Sequence, residues 1–211
     1  MKYGAYLTGA FGQSQQLCDA RKSGSSEALE RQILADTKRI IDLQQSSNLS
    51  YVIDPMFRFF SVYDPLLKHV KGVSEGSQNP LAKNLFYIWP KIVSSLNHAD
   101  IGFTEKFIHL DLLPQGKAAV ILPSPYSVFM DSDIKAYPNQ KSAIVDIAQL
   151  LREEAKRLVE KGVVRIQYDE RAFPIRQSRG SLEQEDFALL TIAMEQCGKI
   201  EGATTSLHTY Y

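Results

Sequence analysis

Neither sign of charge is in excess in this chain. Of 211 residues, 24 are Lys or Arg and 24 are Asp or Glu, so the formal net charge is zero. No Lys/Arg-rich block interrupts that balance. Broad electrostatic attraction to nucleic acid or to an anionic membrane is therefore not expected. Cysteine is scarce. Cys18 and Cys197 form no CxxC and no metal-type spacing. Two reduced thiols in a cytoplasmic protein are the expectation. No apolar run reaches the roughly 18 residues that suggest a membrane span. Met1 to Thr8 holds too short an apolar stretch for a signal peptide. GxSxG, HExxH and P-loop motifs are also missing, and Gly9 alone does not make a phosphate loop.

What is present is ordinary globular material: 44% hydrophobic and 23% charged residues. A chain of this length can bury roughly 70% of its unfolded surface, and one domain over residues 1–211 is expected. Tyr3 to Phe11 reads as a first strand, broken by Gly9, and Gln13 to Ser26 as a polar connection. Leu29, Ile33, Leu34, Ile40 and Ile41 recur at near-helical spacing, which predicts a helix over 27–45 capped by Ser25 or Ser26. Tyr51 to Asp54 is a strand stopped by Pro55. Residues 56–117 are irregular and aromatic, and read as an excursion covering one end of the fold. Within it Phe107 to Leu113 alternates like a strand, able to form a hairpin with Ala118 to Leu122.

Regularity then returns. Ala118 to Leu122 is an unbroken apolar run, as in a strand buried on both faces. Ile144, Ile147, Leu151, Ala155 and Leu158 mark a helix over 142–161 that ends at Gly162. Val163 to Tyr168 is the next strand. Ser181 and Gln184 form a capping box for a helix with Phe187, Leu190, Thr191 and Met194 as its core stripe. Ala203 to Thr209 is a final strand. Strands alternating with helices indicate βα units around a parallel sheet of about five strands. A closed (β/α)8 barrel needs eight strands and about 250 residues. An open sheet or a partial barrel is therefore expected.

Ligands of such folds bind at the carboxyl ends of the strands, and polar residues collect there. Alternation turns Arg165, Gln167 and Asp169 to the face opposite Val164, Ile166 and Tyr168. Thr204, Ser206 and His208 share one face of the last strand. Gln167, Asp169 and His208 are thus candidates to line a pocket, although Gln167 and Asp169 would also satisfy each other. Asp169 and Glu170 point to opposite faces. Glu170 is a further candidate, with a surface salt bridge to Arg171 or Arg176 as its competing role. Pro123 to Tyr126 follows the buried strand as a rigid turn that would aim Ser124 and Tyr126 at the strand ends. His208 reads as a general acid/base or a metal ligand, or as a hydrogen-bonded structural histidine. The aromatic residues 57–63 and 86–89 suit either a flat ligand or a hydrophobic cover.

Several of these segments together resemble the cobalamin-independent methionine synthases. Ile166-Gln-Tyr-Asp-Glu170 is similar to the family's iQiDEP strand end, and Ile121-Leu-Pro-Ser-Pro-Tyr126 to its lPGPyT turn. Leu7-Thr-Gly-Ala-Phe11 resembles the opening iGSfPr. Asn84-Leu-Phe-Tyr-Ile-Trp-Pro90 resembles an n.fyr.P element, and 53–65 the stretch after the second strand. All five fall in family order along nearly the whole chain.

The resemblance implies a partial or truncated (β/α)8 TIM-type barrel of the methionine synthase and uroporphyrinogen decarboxylase-like superfamily. It also implies methyl transfer from methyl-tetrahydropteroyl-polyglutamate to homocysteine. Ser124, Tyr126, Gln167, Asp169, Glu170 and His208 would then contact folate or homocysteine. Catalytic members hold zinc through an H-x-C with a later Glu and Cys. Here Tyr210 stands in the thiolate position, so His208-Thr-Tyr210 equally resembles the LtTYF strand of the family's N-terminal, zinc-free barrel. Met56 replaces a Glu that contacts homocysteine, while Arg171 and Ser124 replace a motif Pro and Gly. No metal is expected to bind this chain alone, and methyl-folate is its expected substrate. A catalytic partner chain or self-association would cover the open sheet edges. Other readings are a non-catalytic binding or scaffold subunit and a uroporphyrinogen decarboxylase-like enzyme.

Overall fold

The computed structural model describes residues 4–9, 11–82 and 85–210. Tyr3, Ala10 and Asn84, and the side chains of Phe86 and Tyr87, lie outside what is described. The centre is a four-stranded, wholly parallel sheet of β1 (Val52–Ile53), β4 (Ala118–Pro123), β6 (Arg165–Glu170) and β7 (Thr204–Thr209), in that spatial order. Strand order follows chain order, as in a βα array, but the sheet is open. No closed barrel forms among the described residues.

Long helices lie in two of the crossovers, α5 (Gln140–Glu160) between β4 and β6 and α7 (Gln184–Cys197) between β6 and β7, while α2 (Ser26–Ser46) precedes β1. One sheet face contributes Val52, Val120, Leu122, Ile166 and Tyr168 to a core closed by Ile41 of α2, Ala148, Ala155 and Leu158 of α5, and Cys197 of α7. The α5 stripe predicted from spacing is buried throughout. Ser25 caps α2, its hydroxyl accepting from Ala28 N–H.

The other face is mixed. Ile53, Ala119 and Ile121 form a small apolar patch, and β6 adds Arg165, Gln167 and Asp169. The segment before α1 (Gln15–Lys22) touches this face through Tyr6, which bonds Gln167.

Five sequence expectations need correction. The stretch Gln13 to Ser26 is not merely a polar connection, since it holds α1, capped by Ser14 and burying Leu17. Among residues 4–9 there is no strand. That segment runs beside β1 with one bond at each end, Ser50 N–H to Ala5 O and Phe11 N–H to Pro55 O. Gly9, at φ +99°, has a backbone that an extended strand does not adopt. Among the described residues the parallel set therefore has four strands rather than the five expected.

Residues 107–113 are not a strand either. Short 3-10 turns occupy Thr104–Lys106 and Leu110–Leu112. The supposed partner, β4, already has β1 on one side and β6 on the other, so it has no free edge to form a hairpin. The hairpin of this excursion is instead β2 (Val73–Ala82) with β3 (Leu85–Ile92), extended by the short β5 (Asp133–Ile134).

Pro123 to Tyr126 is not a rigid projecting turn. Pro125 opens α4 (Pro125–Asp131) with Ser124 as N-cap, a position proline favours. Finally, Glu183 and Asp186 cap α7, and its buried positions are Asp186, Leu189, Ala193 and Cys197. Phe187 is half exposed and packs edge-on against Phe173 of α6 (Ala172–Ser178).

Candidate functional site at the strand ends

β6 and β7 end side by side, with Asp169 in register with His208. These two residues border a cavity of about 420 Å³, together with Met56, Phe60, Arg171 and Tyr210. Gln167 lies two residues deeper on β6, and its amide donates to Asp169 Oδ1 at 2.8 Å. His208 Nδ1 lies 3.1 Å from the same oxygen. The imidazole stacks on the Tyr210 ring, with centroids 5.1 Å apart and planes 29° from parallel. The cavity thus joins a carboxylate and an imidazole with apolar and aromatic walls, the usual make-up of a small-molecule site.

Met56 sits at the end of β1 with φ +62°, a left-handed backbone that side chains other than Gly, Asn and Asp seldom adopt. Buried Asp54 holds it there. Its Oδ1 accepts Met56 N–H at 2.7 Å, and its Oδ2 accepts His109 N–H at 2.8 Å. Burial raises the Asp54 pKa, partly offset by those two backbone N–H groups.

The opposite wall depends on three buried groups that the sequence did not bring together. Asp131, at the end of α4, accepts from both Tyr63 and Arg171. Tyr63 immediately precedes α3 (Asp64–His69), and Arg171 follows β6. Burial raises the Asp131 pKa, opposed by the Arg171 charge and the Tyr63 hydroxyl.

The other candidate residues are not brought to this cavity. Tyr126 is fully buried in the helix layer, where its hydroxyl donates to Asp186 Oδ1 at 2.7 Å. Ser124 is fully buried as the α4 N-cap. Glu170 makes no surface salt bridge. It is fully buried against α4, accepting Ser127 Oγ–H at 2.9 Å and Phe173 N–H at 2.8 Å on Oε1. Its expected ion-pair partners are engaged elsewhere, Arg171 with Asp131 and Arg176 with Asp186.

Burial raises the Glu170 pKa, opposed by Ser124, Phe173 N–H and Ser127. Glu170 Oε2 and Ser124 Oγ, though close, each lack a bond of normal geometry. A carboxyl with a raised folded pKa favours folding most below its unfolded value, and that contribution is lost as pH rises through the folded value. Glu170→Gln stays neutral and supplies an N–H for Ser124. It is expected to stabilise the protein by about 1 kcal/mol at neutral pH, with the gain vanishing in acid. Urea denaturation at the two pH values reads both.

A second cavity, of about 450 Å³, lies against α5 and the start of α7, bordered by Tyr137, Arg176, Asp186 and Leu189. It holds none of the strand-end groups.

No family model matches this chain, and no curated protein matches it. Its fold does have a likeness among solved structures. A B12-independent methionine synthase from Shewanella sp. W3-18-1, in complex with selenomethionine, matches with a TM-score of 0.58 and 21% identity. The match covers 88% of this chain and 53% of that enzyme, so the chain spans about half the enzyme's length. At this identity the likeness is one of fold. Among the described residues no helix is long and apolar enough to cross a membrane.

The family resemblance implies zinc for catalytic members. Among the described residues no group of three or more His, Cys, Asp or Glu side chains is placed to hold a metal. Cys197 is buried in the helix-side core, and the neighbour of His208 in the cavity is Tyr210.

Proposed function

We propose that this chain is a methionine-synthase-like component of methyl transfer from methyl-tetrahydropteroyl-polyglutamate to homocysteine. It binds folate or homocysteine in the strand-end cavity and lacks a complete zinc site of its own. In this reading the four parallel strands are an arc of a (β/α)8-type barrel within a single domain. The observation that carries it is the Asp169–His208 pair on adjacent strand ends, opening on a cavity of about 420 Å³. The likeness to the Shewanella enzyme supports the choice of chemistry.

The residues present suit those ligands. Phe60, exposed at the rim, and the Tyr210 ring offer faces for a flat heterocycle. Asp169 Oδ1 already takes two bonds. Oδ2 is left to accept from a ring amine or an amino-acid ammonium. The backbone of β7 is bonded on one side to β6 and forms an edge of the sheet. That edge is where a catalytic partner or a second copy would pair.

Calorimetric titration tests the proposal, using a methyl-tetrahydropteroyl-triglutamate analogue and homocysteine. The chain is titrated alone and mixed with a catalytic methionine synthase. Binding of at least one ligand is expected, weakened about tenfold or more by Asp169→Asn through loss of a charge-assisted bond. Absence of binding in both settings would overturn it.

A further inference from the structure

The groups on the inner face of β6 are joined in one line of hydrogen bonds, and that line has a fixed direction. It starts at Arg165, whose guanidinium has only donors. Nη2 lies 3.1 Å from the Tyr6 hydroxyl oxygen. The cation also sits 4.4 Å and 4.9 Å from the Tyr6 and Tyr51 ring centroids. The Tyr6 hydroxyl accepts from Arg165, so its single proton is directed onward to Gln167 Oε1, 2.8 Å away.

That bond identifies the acceptor end of the amide. Nε2 is therefore the end that donates to Asp169 Oδ1. Gln167 is only 1% exposed, so a reversed amide would find no water to compensate it. His208 Nδ1 meets the same Oδ1. An ionised carboxylate only accepts, so Nδ1 carries the proton. A neutral imidazole has one N–H, which leaves a lone pair on Nε2. No described group bonds Nε2, and the side chain, 32% exposed, borders the cavity.

We propose that His208 Nε2 is a proton acceptor presented to the strand-end cavity. Its tautomer is set by the Asp169 carboxylate, which Gln167 holds in place, and the cavity takes a ligand whose reacting group gives up a proton. The ligand's identity rests on the function proposed above, where that group is the thiol of homocysteine. The S–H bond breaks, the proton moves to Nε2, and the electron pair stays on sulfur as a thiolate. The resulting imidazolium faces the Asp169 carboxylate, which opposes its charge. This route activates the thiol with residues this chain already holds together. Tyr6, Gln167 and Arg165 are positioning residues, since they reach the ligand only through His208.

The test is tautomer-resolved proton–nitrogen NMR of the full chain labelled with nitrogen-15, the His208 signals being assigned with His208→Gln. In the unliganded wild type, His208 should show the pattern of a proton on Nδ1 and a bare Nε2. Asp169→Leu removes the acceptor that holds the Nδ1 proton. It should abolish the single Nδ1–H pattern at His208 while leaving His69, His98 and His109 unchanged. Asp169→Asn, whose amide can turn its N–H toward Nδ1, should act the same way if Asp169→Leu fails to fold. A wild-type ring protonated on Nε2 alone would overturn the proposal, as would an unchanged His208 pattern in both variants. Homocysteine should then protonate Nε2 of His208. With the Nδ1–H pattern intact, a missing response overturns the thiol as ligand and leaves the polarity of the line standing. The tautomer spectra need no ligand, so failure of folate or homocysteine to bind is read separately.

Discussion

Arg171→Met is expected to lower the unfolding free energy by about 3–5 kcal/mol, the usual cost of removing one partner of a buried ion pair. Arg171 and Asp131 have side chains only 10% exposed. Tyr63, the other partner of Asp131, is 1% exposed. Without the guanidinium, Asp131 keeps a single neutral donor for a carboxylate whose ionised form burial already disfavours. The loss is structural as well as electrostatic, because the three residues tie together the approach to α3, the end of α4 and the end of β6. Urea denaturation followed by circular dichroism measures it. Adding Asp131→Asn should recover part of the loss, since the stranded charge is then gone. A single-variant change below about 1 kcal/mol would mean the pair is solvated like a surface bridge.

Glu154→Ala should cost about 2–6 kcal/mol, from two buried N–H groups losing their acceptor at about 1–3 kcal/mol each. Glu154 lies on α5 and is fully buried. Its carboxylate accepts Gly102 N–H and, at 2.7 Å, Thr104 N–H. These are the residues where the excursion turns back toward the sheet, Gly102 at φ +84°. Native-state hydrogen exchange locates the effect. The Gly102 and Thr104 amides should lose protection before those of β4 and β6. Uniform loss of protection would instead assign Glu154 a role in the whole core.

The parts of the fold written in local periodicity are legible in the sequence. Ile144, Ile147, Leu151, Ala155 and Leu158 name the buried face of α5, and Ala118 to Leu122 names a central strand. Alternation along β6 separates Arg165, Gln167 and Asp169 from Ile166 and Tyr168, which is half of the candidate site. What escaped the sequence depends on long-range competition. Phe107 to Leu113 alternates like a strand, but both edges of β4 were already taken. Pro123 to Tyr126 carries turn residues, yet Pro125 serves a helix start that aims Tyr126 at α7. In α7 the apolar residues fit more than one helical stripe, and packing chose Leu189, Ala193 and Cys197 over Phe187. Tyr63, Asp131 and Arg171 come from three separate segments, with no shared spacing to reveal them. Glu154 gave a weak signal, as a charged residue beside an apolar stripe. No sequence pattern marked it as a tether.

The bond between Tyr6 and Gln167 spans 161 residues of chain, and that between Arg165 and Tyr6 spans 159. Contacts this distant in sequence carry a loop-closure cost that must be met before they contribute anything. During synthesis Tyr6 emerges first and waits for β6 to be made and docked. The helices and the β4–β6 pairing can form without it. His208 can therefore reach its place beside Asp169 before the inner face acquires its direction. Thr8 and Gly9 of the same segment as Tyr6 border the cavity, so its last wall and its polarity arrive together.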